Sequence, residues 1–574
     1  MNILTTLTET ISAKFVERGY EASYGTVTVS SRPDLCHYQC NGALPAAKAY
    51  RKNPLVIAGE VAELLQGDAR FSSIETAPPG FINLRLSDQY LAALAGDMAA
   101  DERLLLPLME RKTIVVDYGG PNVAKPLHVG HLRSAIIGDA LYRLARFLGH
   151  TVIGDIHMGD WGLQMGLVIA EMEGRGADAA AVSLDDLNEI YPAASARSKT
   201  DAAFAEKAAA RTAALQHGDG DIRAVWKQIR DVSVSGLKRG YGALGVTFDR
   251  WYGESDAEPY VPRVKDILRE RGLLRESDGA LVVDVALPED KEPMPPMLVE
   301  KSNGADVYGT TDLGTLLQRK EEFDPDEVWY VTDNRQAFHF RQVFRCAKLS
   351  GMLNSGEKEI QCLHFPFGTM NGKDGKPYKT RDGGVMRLSD LIGSVVENAL
   401  RKVNESDVPM SGEERREAAR MLGMAALRIG DMQNHRTKDY IFDMERFLAS
   451  EGKTGPYLQY TAVRIRSVLA KARAAEIAAG EILPPATDAE RDLLLSFPLV
   501  SDALLRAFAD KAPSAVCDVL FDIAGRFNRF YFEHKILQCP DESLRASRLA
   551  LLELTDRFLT ILLELLGVEI PSHM

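Results

Sequence analysis

The sequence of 574 residues has few cysteines and no long hydrophobic run. Six cysteines in a chain of this length cannot form a disulfide framework, so we expect a reducing, cytoplasmic environment. No stretch approaches the ~20 uninterrupted apolar residues of a membrane span, and the first residues lack the regions of a secretion signal. We therefore expect no targeting segment and no membrane association.

Positively charged residues are also few relative to negatively charged ones. The sequence has 68 Lys and Arg and 81 Asp and Glu, which gives a formal net charge of −13. This balance argues against non-specific coating of nucleic acid, although a local basic surface remains compatible with it. Hydrophobic residues at 45% and charged residues at 26% are typical of globular proteins and exclude a disordered or fibrous chain. At ~100 to 200 residues per domain, the length predicts about three or four domains.

Familiar nucleotide and metal motifs are absent as well. The sequence contains no G-x-G-x-x-G and no H-E-x-x-H. Cys36 and Cys40 could form half of a zinc site, but no second pair of suitable spacing completes it. We therefore predict no protein-bound metal.

Local patterns divide the chain into three parts. Residues 1–112 combine helical periodicity with short β-branched runs, which predicts an α+β domain. Residues 113–390 alternate strand-like and helical patterns, which predicts a parallel-sheet domain with a helical insertion at about 173–255. Residues 391–574 are helical in pattern, which predicts an all-α domain. The fold class is therefore multidomain α/β. The expected strands of the parallel sheet are 113–117, 151–153, 279–285, 326–332 and 361–366.

The motif His128-Val-Gly-His131 lies where the first of these strands leads into a helix. Open α/β sheets bind ligands at this position, and helix N-terminal N–H groups favour phosphate. The two imidazoles share one face of a helical turn, and Gly130 lets a ligand approach the backbone. Lys125 adds positive charge, and Asn122 can donate and accept hydrogen bonds. The pattern favours an anion such as phosphate, with surface caps or a metal pair as alternatives.

The residues around this motif resemble a known family. Residues 117–138 read DYGGPNVAKPLHVGHLRSAIIG and are similar to the signature region of class I aminoacyl-tRNA synthetases. The Asn-x-Ala-Lys before the motif and the Leu-Arg-Ser after it resemble arginyl-tRNA synthetases in particular, and the resemblance covers essentially the whole chain. It implies a Rossmann-like catalytic domain between an N-terminal tRNA-contacting domain and a C-terminal anticodon-binding domain.

The resemblance also implies a reaction. L-arginine would be ligated to tRNA(Arg) with ATP and Mg²⁺, through an arginyl-adenylate. Phosphoryl displacement depends on positioning and on stabilising charge, which imidazoles, a lysine and Mg²⁺ can supply. His128, His131 and Lys125 fit catalytic roles, and Gly130 with the two histidines fits contacts to ATP.

A second signature of class I enzymes is a Lys-Met-Ser-Lys-Ser loop, which corresponds here to residues 372–384. Lys379 and Arg381 keep its positive charge, and we expect both to take part in catalysis and Lys379 to contact ATP. Thr380 replaces the usual second lysine if Tyr378 aligns with the methionine. Which residue meets the pyrophosphate therefore stays open, and Lys125 could supply part of the missing charge.

Two further sets of residues follow from the resemblance. A guanidinium needs carboxylates and planar acceptors, and Tyr308 and Asp312, four residues apart, would face the same way at a helix start. The arginine pocket would contain Asp117, Asn122, Tyr308, Asp312 and Gln342. The tRNA contacts would include Phe81 and Asn83 at the elbow and Tyr457, Tyr460, Arg464, Arg466, Tyr531 and Met574 at the anticodon. Aromatic residues at helical spacing in an all-α domain could instead belong to its core.

Two other functions remain open from the sequence. Another nucleotidylyltransferase with an H-x-G-H motif would typically be shorter and lack the helical C-terminal domain. A catalytically inactive tRNA-binding paralogue would not need intact His128, His131, Asn122 and Asp312. The expected partners are tRNA(Arg), L-arginine and ATP, and we expect a monomer.

Overall fold

The computed structural model describes residues 2–302, 304, 307–376, 378, 386–406 and 408–574. They form two compact units. One contains Met1–Leu108, Ser406–Ser411 and Ala449–Met574, and the other contains Met109–Glu405 and Gly412–Leu448. The boundary expected at 390/391 coincides with no boundary of these units, and the three-part functional division stays a prediction.

The N-terminal segment is an α+β structure. Its elements are α1 (Ile3–Glu17), β1 (Val27–Val29), β2 (Tyr38–Cys40), α2 (Ala43–Tyr50), α3 (Pro54–Glu63), β3 (Phe71–Ala77), β4 (Phe81–Leu86) and α4 (Asp88–Ala100). The strands form one antiparallel sheet in the order β1-β2-β4-β3. Helix α1 buries Ile3, Leu7, Ile11 and Phe15, whose spacing of four residues places them on one face.

The second unit is built on a five-stranded parallel sheet. Its elements are β5 (Thr113–Tyr118), α5 (Leu132–Phe147), β6 (Thr151–Met158), α6 (Leu163–Arg175), α7 (Leu184–Arg197), α8 (Ala202–Gln216), α9 (Gly220–Ala243), β7 (Arg250–Gly253), α10 (Glu254–Ala257), α11 (Val261–Glu270), β8 (Leu274–Ser277), β9 (Ala280–Val283), β10 (Met297–Glu300), α12 (Tyr308–Phe323), β11 (Glu327–Val331), α13 (Ala337–Leu349), β12 (Asn354–Ser355), β13 (Lys358–Glu359), β14 (Gln361–His364), β15 (Met370–Asn371), α14 (Leu388–Asn404), α15 (Gly412–Met432), β16 (Tyr440–Ile441) and α16 (Met444–Phe447). The strand order is β14-β11-β5-β6-β7. The order reverses between β5 and β11, and ligands bind beyond the carboxyl ends of strands at such a point.

Strand β5 and helix α5 form the centre of this unit. Ile114, Val115 and Val116 of β5 are completely buried, as expected for a strand covered on both faces. Gly138 allows α5 to approach the sheet, because a Cβ at this position would lie 2.3 Å from the Cβ of Tyr118. The helix that follows the histidine motif is therefore held closely against the strand that precedes it.

Three predictions of secondary structure need correction. Residues 279–285 were expected in the parallel sheet, but β9 belongs to a separate antiparallel sheet, β10-β9-β8. Residues 250–253 fell within the predicted helical insertion, but they form β7 at the edge of the parallel sheet. Residues 440–441, expected to be helical, form β16, which pairs with β15. A short apolar run does not reveal its pairing partner, because that partner lies far away in sequence.

The C-terminal segment is all-α, as predicted. It contains α17 (Gly455–Ala474), α18 (Asp488–Ser496), α19 (Leu499–Asp510), α20 (Ser514–Glu533) and α21 (Glu542–Leu565). Thr454 caps α17 by accepting from the N–H of Tyr457, and the Phe497 and Phe558 rings stack 4.9 Å apart in the core. Among the described helices, none is long and apolar enough to cross a membrane.

Candidate active site

The His128-Val-Gly-His131 motif lies between β5 and α5 and forms a tight 3₁₀ turn, Val129–His131. Nδ1 of His128 accepts from the N–H of Gly130, and Nδ1 of His131 accepts from the N–H of His128, both at 3.1 Å. Because each Nδ1 is an acceptor, we infer that each neutral ring carries its proton on Nε2. The ring centroids are 4.0 Å apart, so two Nε2–H donors lie side by side.

Burial favours the neutral form of both histidines. Desolvation, followed by the neighbouring His128, lowers the pKa of His131 to about 3. Desolvation also lowers the pKa of His128, with contributions from the positive charges of Lys125 and Arg335. The pair can therefore donate hydrogen bonds to an anion, but the compensating positive charge must come from other groups.

Cationic side chains lie close to the motif. The Lys125 ammonium sits 4.4 Å from the centroid of the Tyr191 ring. Arg387 faces His128 in an antiparallel bridge, which is flanked by hydrogen bonds from Val129 N–H to the Met386 carbonyl and from Leu388 N–H to the Leu127 carbonyl, at 3.1 and 2.9 Å. The segment that follows the second signature loop is thus attached to the first signature. Lys379 and Arg381 lie outside the described residues.

The segment that precedes the second loop is anchored through β16. Strand β15 pairs with β16, and the N–H of Tyr378 donates to the carbonyl of Met370 at 3.0 Å. Arg133, in the first turn of α5, donates to the carbonyl of Lys438 at 3.0 Å, and its Nε lies 2.9 Å from Oδ2 of Asp431. A buried arginine next to the histidine motif therefore contacts the anchor of the second loop. Sequence reasoning assigned no role to this arginine.

Tyr308 is the first residue of α12 and Asp312 lies one turn later, a spacing that places both on the same side of the helix. Asp312 Oδ2 contacts Nε2 of His339 on α13 at 2.5 Å, and this hydrogen bond raises the pKa of His339. Tyr308 is exposed. His339 is a site residue to which sequence reasoning gave no role.

A second carboxyl group joins this cluster. Burial, together with the charges of Asp160 and Asp312, raises the pKa of Glu254 to about 7, against an opposing effect of His157. The charge of Glu254 in turn contributes to the raised pKa of Tyr308, after desolvation. Glu254 follows the carboxyl end of β7, and an acidic residue after a parallel strand would have been its signal in the sequence. Assignment of β7 to the helical insertion concealed that signal.

The other predicted pocket residues are placed differently. Oδ2 of Asp117 lies 2.6 Å from Arg319, which also contacts Asp155 at 2.6 Å, and all three side chains are buried. We expected Asp117 to bind the arginine substrate, but its Oδ2 is paired with Arg319 of the protein itself. This pairing offsets the cost of burying a carboxylate. Asn122 is exposed and forms a bridge with Gly159. Gln342 is partly exposed and donates to the carbonyl of Pro295 at 2.9 Å.

Four of the predicted tRNA-binding residues meet on α17 and α20. The Arg464 guanidinium lies 4.5 Å from the Tyr460 ring and 5.3 Å from the Tyr531 ring. Asn528 accepts from Arg464 at 2.6 Å and donates to the Tyr457 hydroxyl at 2.9 Å.

Arg466, which the resemblance assigns to the anticodon surface, lies apart from this cluster, and its contact with tRNA stays a prediction. It contacts Asp556 and Thr560 on α21 at 2.9 and 2.8 Å, because residues two apart point to nearly opposite sides of a helix.

The remaining predicted tRNA contacts lie elsewhere. Phe81 and Asn83 lie on β4, where alternate residues share a face. Asn83 is buried and accepts from Gln39 at 2.8 Å, whereas Phe81 is partly exposed. Met574 is partly exposed. Within the described part of the chain, no three His, Cys, Asp or Glu side chains come together as a metal centre. The expected lack of a resident metal stays a prediction.

Comparison with known families assigns a class to this fold and site. The family model described as the catalytic domain of class I (R) tRNA synthetases matches residues 96–444. Two others, the N-terminal domain of arginyl-tRNA synthetases and the DALR anticodon-binding domain, match residues 1–86 and 458–574. The chain is thus built as a class I aminoacyl-tRNA synthetase.

Relatives and solved structures narrow this class. An arginine–tRNA ligase of Alkaliphilus oremlandii is 46% identical, with 98% of this chain and 97% of the relative covered. One of Agathobacter rectalis is 44% identical over 100% of both chains. The crystal structure of arginyl-tRNA synthetase from Plasmodium falciparum shares the fold, with a TM-score of 0.81 at 24% identity and 100% of both chains covered. The chain belongs to the arginyl-tRNA synthetase family, as its signature residues indicated.

Proposed function

We propose that this chain ligates L-arginine to tRNA(Arg) at the expense of ATP, through an arginyl-adenylate. The observation that carries this proposal is the convergence of Glu254, Asp312 and Tyr308. Two carboxyl groups and a phenol suit the charged, planar guanidinium. Helix α12 leads into β11, so its first turn lies toward the carboxyl edge of the parallel sheet, where the histidine motif also lies.

In the first step, a carboxylate oxygen of arginine attacks the α-phosphorus of Mg²⁺-bound ATP, and pyrophosphate leaves. Neutral His128 and His131 would donate their Nε2–H groups to phosphate oxygens, with Gly130 leaving room for the nucleotide. Lys125 would supply positive charge, and we assign Lys379 and Arg381 to the same task. In the second step, a hydroxyl of the terminal ribose of tRNA attacks the arginyl carbonyl, and AMP leaves.

Several finer assignments belong to this proposal. Tyr457, Tyr460, Arg464, Tyr531 and Met574 would contact the anticodon, while Phe81 and Asn83 would contact the tRNA elbow. Asp117, Asn122 and Gln342 would contact arginine, although Asp117 and Gln342 already have internal partners. We also propose a cytoplasmic monomer. The six free cysteines are in keeping with a reducing compartment.

Substrate discrimination by Asp312 tests this assignment. We expect Asp312→Asn to raise the KM for arginine and to narrow the preference for arginine over citrulline, because citrulline is neutral and leaves a carboxylate unpaired. The KM for ATP should change little. The measurement is kcat/KM for both amino acids in ATP–pyrophosphate exchange, with and without tRNA.

The matched control for this experiment is Asp284→Asn, in an exposed ion pair with Arg275. It should change neither amino acid's kcat/KM. An unchanged ratio of arginine to citrulline in the Asp312 variant would show that Asp312 does not bind the guanidinium. If the unmodified protein showed no ATP–pyrophosphate exchange, with or without tRNA, the result would instead favour a catalytically inactive paralogue.

A further inference from the structure

A cavity of ≈ 450 Å³ lies in the catalytic unit, bounded by α7, α9, α14 and residues 125–127. Its walls are largely apolar, with Leu127, Leu184, Leu237 and Ile392 among the lining residues. Of the described residues assigned above to catalysis or to arginine, Lys125 alone lines it. The cavity is therefore adjacent to the proposed active site, but separate from the arginine pocket.

Positive charge surrounds this apolar space. Lys125, Arg239 and Arg387 line the cavity, and none of them forms an ion pair with a carboxylate among the described residues. Asp185 is the carboxylate on the lining, and it has no ion-pair partner in the same part of the chain either. The cavity thus combines an apolar interior with a net excess of cations, which favours an anion that also has an apolar body.

One residue of the cavity lining, Asn188, carries a buried polar atom. Oδ1 of Asn188 is shielded from solvent and has no hydrogen-bond partner within the described part of the chain. A buried polar atom of this kind is costly unless something pairs with it. Because this oxygen has almost no solvent-accessible surface, an occupant of the cavity would meet the apolar walls and the cations rather than this atom.

We propose that this cavity binds a small amphipathic organic anion, such as a medium-chain carboxylate. Its apolar chain would lie among the leucine and isoleucine side chains, and its anionic group would face Lys125, Arg239 and Arg387. Ligand pockets in proteins are typically of ~300 to 1,000 Å³ and mostly apolar, with a few polar groups that orient the ligand. The dimensions and lining of this cavity meet that description.

Occupancy would also affect the proposed reaction. An anion paired with Lys125 would compete with the phosphates of ATP for this cation. The cavity wall is also connected to the histidine motif through the backbone. The N–H of Leu388 donates to the carbonyl of Leu127, and Arg387 and His128 form an antiparallel β-bridge. Binding should therefore slow the activation of arginine. This consequence rests on the proposed function, whereas binding itself does not.

Calorimetric titration with octanoate tests the binding site directly. We expect one saturable site for octanoate, weaker binding of octan-1-ol, which lacks the charge, and no binding of inorganic phosphate, which lacks the chain. Arg239→Gln should weaken octanoate binding about fivefold, the effect of losing one partly screened charge pair. Lys227→Gln, on the same helix but outside the lining, is the matched control and should leave binding unchanged.

A cavity-filling variant provides an independent test. A Cβ at Gly393 would meet no atom within 4 Å, so Gly393→Phe should fold and should abolish octanoate binding by filling the space. Gly242→Phe is its control, because Gly242 is equally open but does not line the cavity. Octanoate should slow ATP–pyrophosphate exchange in the unmodified protein but not in Gly393→Phe.

Several results would overturn this inference. Absence of saturable octanoate binding to the unmodified protein, or undiminished binding to Gly393→Phe, would show that the cavity is not the site. Equal affinity for octanoate and octan-1-ol would refute the role of the cations. Saturable binding without any effect on exchange would refute the proposed competition for Lys125.

Discussion

Two buried arginines of the catalytic unit and one arginine of the C-terminal helices are used in opposite ways. In the catalytic unit, Arg133 and Arg428 are buried and each contacts an aspartate, Asp431 and Asp139 respectively. In the C-terminal segment, Arg464 is partly exposed and lies between two tyrosine rings, with an asparagine as its hydrogen-bond partner. The first arrangement satisfies the charge internally, and the second leaves it available.

This difference separates a structural role from a recognition role. The two buried pairs connect α5 to α15 with opposite polarity, so they secure the helix that follows the histidine motif. A buried charge must be paired because desolvation is expensive. An arginine held between aromatic rings is positioned without being neutralised, and it can still bind phosphate while the rings stack on bases.

The strongest test of this contrast removes one partner of a buried pair. Asp431→Ala leaves Arg133 buried without its carboxylate, and we expect a loss of about 3–5 kcal/mol in the free energy of unfolding. The measurement is urea denaturation followed by tryptophan fluorescence. Glu321→Ala, in an exposed pair with Arg263, is the control and should cost about 0–1 kcal/mol. Equal losses in the two variants would contradict the structural role.

The next test concerns groups that act without charge. Since His128 and His131 are proposed to donate hydrogen bonds to charge that develops in the transition state, His128→Ala or His131→Ala should each slow adenylate formation by about 10²–10³-fold. The measurement is single-turnover adenylation, and arginine binding should be nearly intact. His217→Ala, on an exposed helix end, serves as the control. An undiminished rate in either motif variant would refute the assignment.

A smaller effect is expected from two arginines of α17. Arg464→Ala should raise the KM for tRNA about tenfold with little loss of stability, because it removes a charge-assisted contact to phosphate. Arg466→Ala should instead lower the free energy of unfolding with little effect on this KM, because Arg466 is paired with Asp556. Aminoacylation kinetics and urea denaturation of both variants check this. Identical behaviour would mean that the two faces of α17 do not differ in function.

The smallest expected effect is a pH dependence of the arginine pocket. The pKa of Glu254 is raised to about 7, so its carboxyl group gains a negative charge as pH rises from 6 to 8. The pKa of His339 is also raised, and its deprotonation removes a cation that competes for Asp312. Ionisation of Glu254 favours binding of a guanidinium, so the KM for arginine should fall between pH 6 and 8. Deprotonation of His339, which its raised pKa moves to higher pH, should lower the KM further.

The two contributions can be separated by substitution. Glu254→Gln and His339→Gln should each flatten the pH profile, and the KM for ATP in the same assays is the control. A KM for arginine that rises with pH would contradict the placement of the pocket.

Local features were accessible from the sequence. The β5–α5–β6 unit, the histidine motif at its turn and the all-α C-terminal segment all follow from periodicity and from residues that are close together in the chain. The shared face of Tyr308 and Asp312 followed from helical spacing alone. The signature residues also identified the family, because they form a contiguous and specific run.

Only the tertiary structure decided which partners these residues meet. Arg319 pairs with Asp117 although 202 residues separate them. His339, which lies on another helix, is hydrogen-bonded to Asp312. Glu254 lies near Asp312 because β7, the strand that precedes it, pairs with β6 at the edge of the parallel sheet. Burial makes a lone charge expensive, so such a charge is paired with whichever group the packing brings near, and sequence spacing carries no record of that choice.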